Sequence, residues 1–190
     1  MEDIIKTYKG EKYILEIHQD EHAENPRLNQ DNFGTFAMWH RRYNMGDVNP
    51  IECPEEYMED IPAERESMPV FMIDHSGIGF STGDFNDPWD SGQVGFIWVS
   101  HEQIKEEFGD LNPETLEKAR GILKSEIEQL DHYARGYCYG FKLFEITTCK
   151  ECGHVNKEEI ESVWGFVTDK PETIAEDNIS QEIMMTLVEE

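Results

Sequence analysis

The stretch PVFMIDHSGIGFSTGDFNDPWDSGQVGFIWVS, Pro69–Ser100, decides the fold. Val70–Asp74 is a short apolar run of strand formers, His75-Ser76-Gly77 turns it, and Ile78–Thr82 returns. Gly83–Gly92 is a loop rich in Gly, Asp, Asn and Pro, and Gln93–Val99 is a further β-branched and aromatic run. Breaks of this composition between apolar runs are turn chemistry, so three strands are expected. Phe71, Ile73, Phe96, Trp98 and Val99 are too apolar to face water, which makes this the expected central sheet, with Trp98 buried in it. Polar groups crowd at its turns: Asp74, His75, Ser76, Trp89, Asp90, Ser91 and Gln93.

Upstream, Ile4–Tyr8 and Tyr13–His18 read as a hairpin around Lys9-Gly10, Gln19–Asn32 as loop, Phe33–His40 as a strand and Arg41–Pro50 as irregular. Ile51–Met68 is acidic, with one short helix expected near Pro54–Asp60. Downstream, Ser100 with Gln103 is a capping box that opens a helix stopping at Gly109. Asn112 caps a longer helix with Pro113 at its first position. Leu116, Ala119, Leu123, Ile127, Leu130 and Ala134 recur at steps of three or four, one apolar stripe facing the sheet. Tyr137–Thr147 and Ile160–Val167 read as strands joined by a hairpin insert at about 147–159. A C-terminal amphipathic helix is expected over about 172–190, with Ile179, Ile183, Leu187 and Val188 on one side. This order contains no alternating βαβ pattern. The expectation is α+β: a single domain, 1–190, with an antiparallel sheet and helices packed on one face.

A chain of 190 residues, 38% hydrophobic and 30% charged, has the composition of a globular protein. No apolar run approaches the ~18–20 residues that span a bilayer. MEDIIKTYKG lacks the basic flank and apolar core of a signal peptide, so a cytoplasmic location is expected. Forty-one acids against sixteen Lys and Arg leave a formal charge of −25. Such a surface repels nucleic acid and anionic membrane and attracts basic surfaces; it also serves solubility alone. Four cysteines in a cytosolic chain do not suggest a disulfide framework, and Cys138 reads as core on a strand.

Four constellations carry candidate chemistry. DHSG, Asp74–Gly77, sets an acid, a base and a hydroxyl side by side, but neighbours on a strand point to opposite faces. The simpler reading is a turn in which Asp74 and Ser76 accept backbone N–H groups. Asp84, Asp87 and Asp90 lie three apart without the alternation of a calcium loop, and read as a solvated loop with Asp90 buttressing the turn before Gly92. Cys149-Lys-Glu-Cys152-Gly-His154 has the spacing of a structural zinc knuckle. His154 is a candidate third ligand, and Cys138, Cys53, His132 or a neighbouring subunit a candidate fourth; a hairpin tip with reduced thiols is the alternative. Trp39-His40-Arg41-Arg42-Tyr43 is the one basic and aromatic cluster, suited to stacking on a nucleotide and clamping its phosphate. The competing reading pairs it with the Glu52–Glu66 acids and buries Trp39. Walker and dinucleotide loops, HExxH and GxSxG are absent from the sequence.

DHSG and PWDSGQVGFIWVS resemble the YDHSG…STxPF…PWDSGQVGFIYVS wording of a family of small proteins of bacteriophages and other bacterial mobile elements. The resemblance continues in ENPRLNQDNFGTFAMWHRRYNMGD (Glu24–Asp47), similar to the family's NPR…DNLGTM…HRRYNLGD. It reaches Gly136–Phe141 and Ser162–Phe166, similar to GxVYGF and SCWGF. Asp84 and Asp87, Val163 in place of a frequent Cys, and the CKECGH insert depart from it. The resemblance implies a phage or prophage origin and brings no activity with it.

Charge and resemblance together lead to an expected binding protein rather than an enzyme. In that reading it is an acidic accessory protein of the bacterial host's cytoplasm. It engages a host protein with a basic surface, such as an antiviral defence or nucleic-acid enzyme, by a DNA-mimic-like face. Glu55, Glu56, Glu59 and Asp60 are the candidate face. No direct nucleic-acid or membrane contact is expected, a homodimer is open, and no cofactor beyond a structural zinc is expected. The alternative is a small-ligand protein that sequesters or hydrolyses a phosphate-containing signalling nucleotide. It would bind through His40, Arg41, Arg42, Asp74, His75, Trp89, Asp90 and Gln93.

Overall fold

The turn chemistry of Pro69–Ser100 yields antiparallel strands. The computed structural model describes residues 3–50, 52 and 54–190. In chain order its elements are β1 (Ile4–Lys9), β2 (Tyr13–Gln19), α1 (Pro26–Asn29), β3 (Thr35–Met38), α2 (Pro54–Asp60), β4 (Arg65–Asp74), β5 (Ile78–Ser81) and β6 (Ser91–Ser100). They continue with α3 (His101–Phe108), α4 (Pro113–Ala134), β7 (Cys138–Thr148), β8 (Val155–Val167), α5 (Pro171–Asn178), α6 (Gln181–Met184) and β9 (Val188–Glu189). The fold is α+β, with antiparallel sheets. Two compact units are present: Asn25–Arg135, and Met1–Glu24 with Gly136–Glu190.

In the first unit the sheet order is β3-β6-β4-β5. Strand alternation decides which apolar side chains share a face. Phe36 and Met38, Val70 and Met72, Phe80, and Ile97 and Val99 pack with Ile104 of α3 and with Ala119, Leu123, Ile127 and Leu130 of α4. Leu116 and Ala134 close the ends of the α4 stripe, half-buried. The expected caps, Ser100 with Gln103, the stop at Gly109, and Asn112 before Pro113, are present; Gly109 lies in the left-handed region, and Thr115 completes a second capping box with Asn112. The opposite face carries a smaller cluster of Ala37, Phe96 and Ile61 with Trp39, Tyr57 and Trp98. Trp98 is therefore half-buried rather than central, and its indole N–H donates to the Tyr57 hydroxyl at 3.1 Å. Phe71 and Ile73 are half-buried for the same reason of phase; Val70 and Met72 take the core side.

β4 begins at Arg65, earlier than expected, and contains Pro69. β5 pairs with β4 only from Phe71 onward, so at Pro69 that side of the strand is open and the missing N–H costs no ladder bond. Opposite it, Val70 faces Gly95 while Phe71 faces Gln93, which leaves Val94 as a one-residue bulge in β6.

The expected loop Gln19–Asn32 holds α1 and a buried cation. The Asn25 side chain accepts from the Arg27 N–H at 2.9 Å, and Arg27 is only 4% exposed. Its guanidinium donates to both Asp47 carboxylate oxygens, to Glu126 at 2.9 Å and to the Gly34 carbonyl at 2.6 Å. Glu126 also accepts from the Phe33 N–H at 2.6 Å, and Asp47 from the Phe36 N–H at 2.6 Å. This network ties the start of β3 to α4.

In the second unit the order is β8-β7-β2-β1-β9. Leu15, Ile17, Tyr139, Phe141 and Leu143 pack with Ile174, Ala175 and Ile179. Gly140 is required by a close approach: a Cβ there would lie 2.2 Å from the ring of Trp164. The YGF and WGF segments are thus two halves of one cross-strand contact. β8 starts at Val155, not Ile160. The helix expected over 172–190 is broken. The Asn178 amide folds back to the Ile174 carbonyl at 2.9 Å, Ile179 is extended and buried, and α6 is a single short turn. β9 then adds antiparallel to β1, pairing Glu189 with Tyr8 and Val188 with Lys9, and so covers part of an edge that would otherwise be open.

Candidate functional site

At one end of the four-stranded sheet, the segment after β3, the end of β4, the 82–90 loop and the bulged start of β6 enclose a cavity of about 330 Å³. That is within the roughly 300–1,000 Å³ of small-molecule sites. Its lining is His40, Arg42, Met72, Asp74, Trp89, Asp90, Ser91, Gly92, Gln93 and Val94. The backbone fixes this arrangement: the Trp39 N–H donates to Val94 at 2.8 Å and the Asp74 N–H to Asp90 at 2.8 Å. The bulge at Val94 breaks the regular ladder beside the cavity, where Gln93 and Val94 both line it.

Two cation–carboxylate pairs dominate the electrostatics. Arg42 donates to Asp74 Oδ2 at 2.7 Å, the Tyr43 hydroxyl lies 3.3 Å from the same oxygen, and the guanidinium sits 5.4 Å from the Tyr43 ring centre. His40 stacks on Tyr43, with ring centres 5.2 Å apart. Its Nδ1 accepts from the Arg42 and Tyr43 N–H groups at 3.4 and 3.3 Å, which puts the proton of the neutral ring on Nε2. His75 Nδ1 lies 2.5 Å from Asp90 Oδ2, and this hydrogen bond and the carboxylate's charge raise the His75 pKa above its ordinary 6.5. Asp87 is held below the usual carboxylate range because the Asp90 and Trp89 N–H groups donate to it. Trp89 is 90% exposed at the rim, an indole face with nothing packed on most of it. Ser76 and Asn86, flanking the cavity's loops, sit at φ of 54° and 57°, a left-handed conformation costly for side-chain-bearing residues.

The structure gathers His40, Arg42, Asp74, Trp89, Asp90 and Gln93 in this lining. Arg41 is exposed and outside it, and His75 stands behind Asp90. Several sequence readings are corrected. Asp74 binds Arg42 rather than capping a turn, and the Ser76 hydroxyl donates to the His75 carbonyl at 2.7 Å. Arg42 pairs with Asp74 rather than with the Glu52–Glu66 acids, while Trp39 does pack, 5.6 Å from Phe96. Asp87, not Asp90, holds the turn, and Asp84 accepts from the Asn86 N–H at 3.0 Å. These acids serve the loop's own backbone. The His75 ring is hydrogen-bonded through Nδ1 to Asp90, and the Ser91 hydroxyl donates instead to the Asp87 carbonyl at 2.6 Å.

The remaining candidates lie elsewhere. Glu55, Glu56, Glu59 and Asp60 are all exposed on α2. A second, apolar cavity of about 360 Å³ is lined by Trp39, Glu55, Met58, Met68 and Phe96, and shares Gln93 with the first. In CKECGH both thiols are exposed. The Glu151 and Cys152 N–H groups and the Cys152 thiol hydrogen-bond Cys149, holding its thiol below the ordinary range. His154 contributes its backbone carbonyl, which accepts from the Cys149 N–H at 2.8 Å. Burial pushes the Cys138 thiol up to about 11. Cys53 lies outside the described residues, and His132 belongs to α4. Among the described residues, no three His, Cys, Asp or Glu gather to hold a metal ion, and no helix is long and apolar enough to cross a membrane. The Arg27–Asp47–Glu126 network is the polar cluster that sequence reasoning missed; only the NPR and GD motifs hinted at it.

Compared with models of protein families, with curated proteins and with solved structures, the chain matches none.

Proposed function

We propose that this protein binds a small phosphate-bearing ligand with a planar base, a nucleotide, in the Arg42–Asp74–Trp89–Asp90 cavity. The observation that carries the reading is the convergence of an exposed indole, a guanidinium and hydrogen-bonding side chains on one cavity of about 330 Å³. The base stacks on Trp89, Gln93 and Asp90 bond its edge or ribose hydroxyls, and Arg42 and the His40 Nε2–H take the phosphate. Holding the ligand is the role; in a phage- or prophage-borne chain this withholds a signalling nucleotide from a host enzyme.

Asp74 competes with the phosphate for Arg42. Asp74→Asn therefore strengthens binding, by up to about 1 kcal/mol or a factor of about five, the ceiling for an exposed ion pair. Arg42→Ala weakens it. Isothermal titration with a panel of linear and cyclic mono- and dinucleotides checks both signs, and weaker binding by Asp74→Asn would overturn this geometry. Binding also depends on pH. Protonated His75 neutralises Asp90 at the cavity wall, so affinity for an anion is highest below pH 6.5. It falls as pH rises through the elevated His75 pKa. His75→Gln should flatten that profile.

A second reading rests on α2, which displays Glu55, Glu56, Glu59 and Asp60 together to solvent. Here the −25 charge recruits a basic host protein. Replacing the four by Gln or Asn should weaken that binding more than any single change, with a shallower salt dependence and an intact fold. Binding at low salt equal to the parent's would reject this face.

A further inference from the structure

The tip of the β7–β8 hairpin carries two exposed, reduced thiols at Cys-x-x-Cys spacing, Cys149 and Cys152. Pairing of β2 with β7 ends at Tyr13–Glu145, and the Ile146 N–H still reaches the Lys12 carbonyl at 2.7 Å. Beyond that, β7 and β8 continue alone as a two-stranded ribbon to Thr148–Val155. The ribbon is exposed on both strands from Thr147 through Gly165. At its tip the Gly153 N–H donates to the Cys149 carbonyl at 2.9 Å, and the Cys149 N–H to the His154 carbonyl at 2.8 Å. Gly153 has φ 68°, a conformation that a Cβ would strain. The chain thereby curls around the Cys149 sulfur, which receives the Glu151 and Cys152 N–H groups and lies beside the Cys152 thiol.

Backbone N–H groups aimed at a sulfur suit a metal-bound thiolate, because they offset the negative charge that accumulates on the ligands. A closed zinc site takes four ligands in a tetrahedron, with Zn–S of about 2.3 Å. One knuckle supplies two, and among the described residues no third His, Cys, Asp or Glu joins it. A second copy of the same tip would supply the missing pair, on a twofold axis through the metal. We propose that the Cys149–Cys152 knuckle is half of a tetrathiolate zinc site completed by the same knuckle of a second chain. His154 shapes the turn through its backbone and is not a ligand. The soft, closed donor set selects zinc over hard cations. Two chains of charge −25 repel each other, and meeting at a ribbon tip confines their contact to a small surface bridged by a divalent cation. This site is independent of the nucleotide cavity and stands or falls without it.

The test uses the full chain, reduced, at physiological ionic strength, titrated with zinc chloride. Mass is followed by light scattering and bound metal by elemental analysis. The expected result is half a zinc per chain and conversion of monomer to dimer, reversed by chelator and abolished by Cys149→Ser and by Cys152→Ser. His154→Ala retains both. Cobalt(II) in place of zinc gives the spectrum of a tetrahedral tetrathiolate. Thermal melting of the metal-free variants should match the metal-free parent, since the tip is exposed. No bound zinc, or one zinc on a chain that stays monomeric, overturns the proposal.

Discussion

Arg27→Ala lowers stability by about 3–5 kcal/mol, the cost of leaving buried partners of an ion pair unpaired. The Arg27 side chain is 1% exposed, and Asp47 and Glu126 are 21% and 12% exposed. Removing the guanidinium leaves two carboxylates near each other with little water to solvate them. Replacing such a cluster by apolar residues is often neutral, but not here. Glu126 and Asp47 also accept the Phe33, Gly34 and Phe36 N–H groups, which would lose their acceptors. Glu126→Gln keeps an acceptor oxygen for Phe33 and Gly34 and should cost less than Arg27→Ala. Urea unfolding followed by tryptophan fluorescence measures both, since Trp39 and Trp98 lie in the same unit. A loss under about 1 kcal/mol for Arg27→Ala would mean that water reaches the carboxylates when the cation is gone.

Trp89→Ala reduces nucleotide affinity roughly 5- to 150-fold, the equivalent of the about 1–3 kcal/mol that one stacked base contributes. Trp89→Phe retains most of the binding, because the ring face remains. Neither change should alter the melting temperature appreciably, since Trp89 is 90% exposed and belongs to none of the hydrophobic clusters. That separation makes the experiment informative: a drop in affinity without a drop in stability is a ligand contact. Unchanged affinity in Trp89→Ala would remove stacking from the proposed recognition and return the acidic face of α2 to first place.

Local pattern sufficed for what local physics governs. The capping residues Ser100 and Asn112, the 3.6-residue stripe of α4 and the turn residues between β4, β5 and β6 each act within a few positions of themselves. The candidate cavity was half legible for the same reason. Asp74, Trp89, Asp90 and Gln93 sit at the turns of one short sheet, and turns at one end of a sheet are neighbours. The His40–Arg42 segment stood out as the one basic and aromatic cluster in an acidic chain.

Tertiary structure decided the pairings. Nothing within reach of Arg27 in sequence identifies Glu126, 99 positions away, as its partner, so the residue read as loop. Which carboxylate meets which cation in the cavity followed from the β4–β6 register, and the bulge at Val94 changed that register by one residue. The same phase put Trp98 on the lesser face, half-buried, although its hydrophobicity argued for the core. At the C-terminus, an apolar period consistent with one helix gave way to a break at Ile179, which is extended and buried in the core of the second unit, and to a strand on β1, as tertiary packing overrode a weak local preference. Composition and spacing determine which segments are helix, strand or turn; only the packed chain, through contacts far apart in sequence, determines which charges are neutralised and which side chains remain free to meet a ligand.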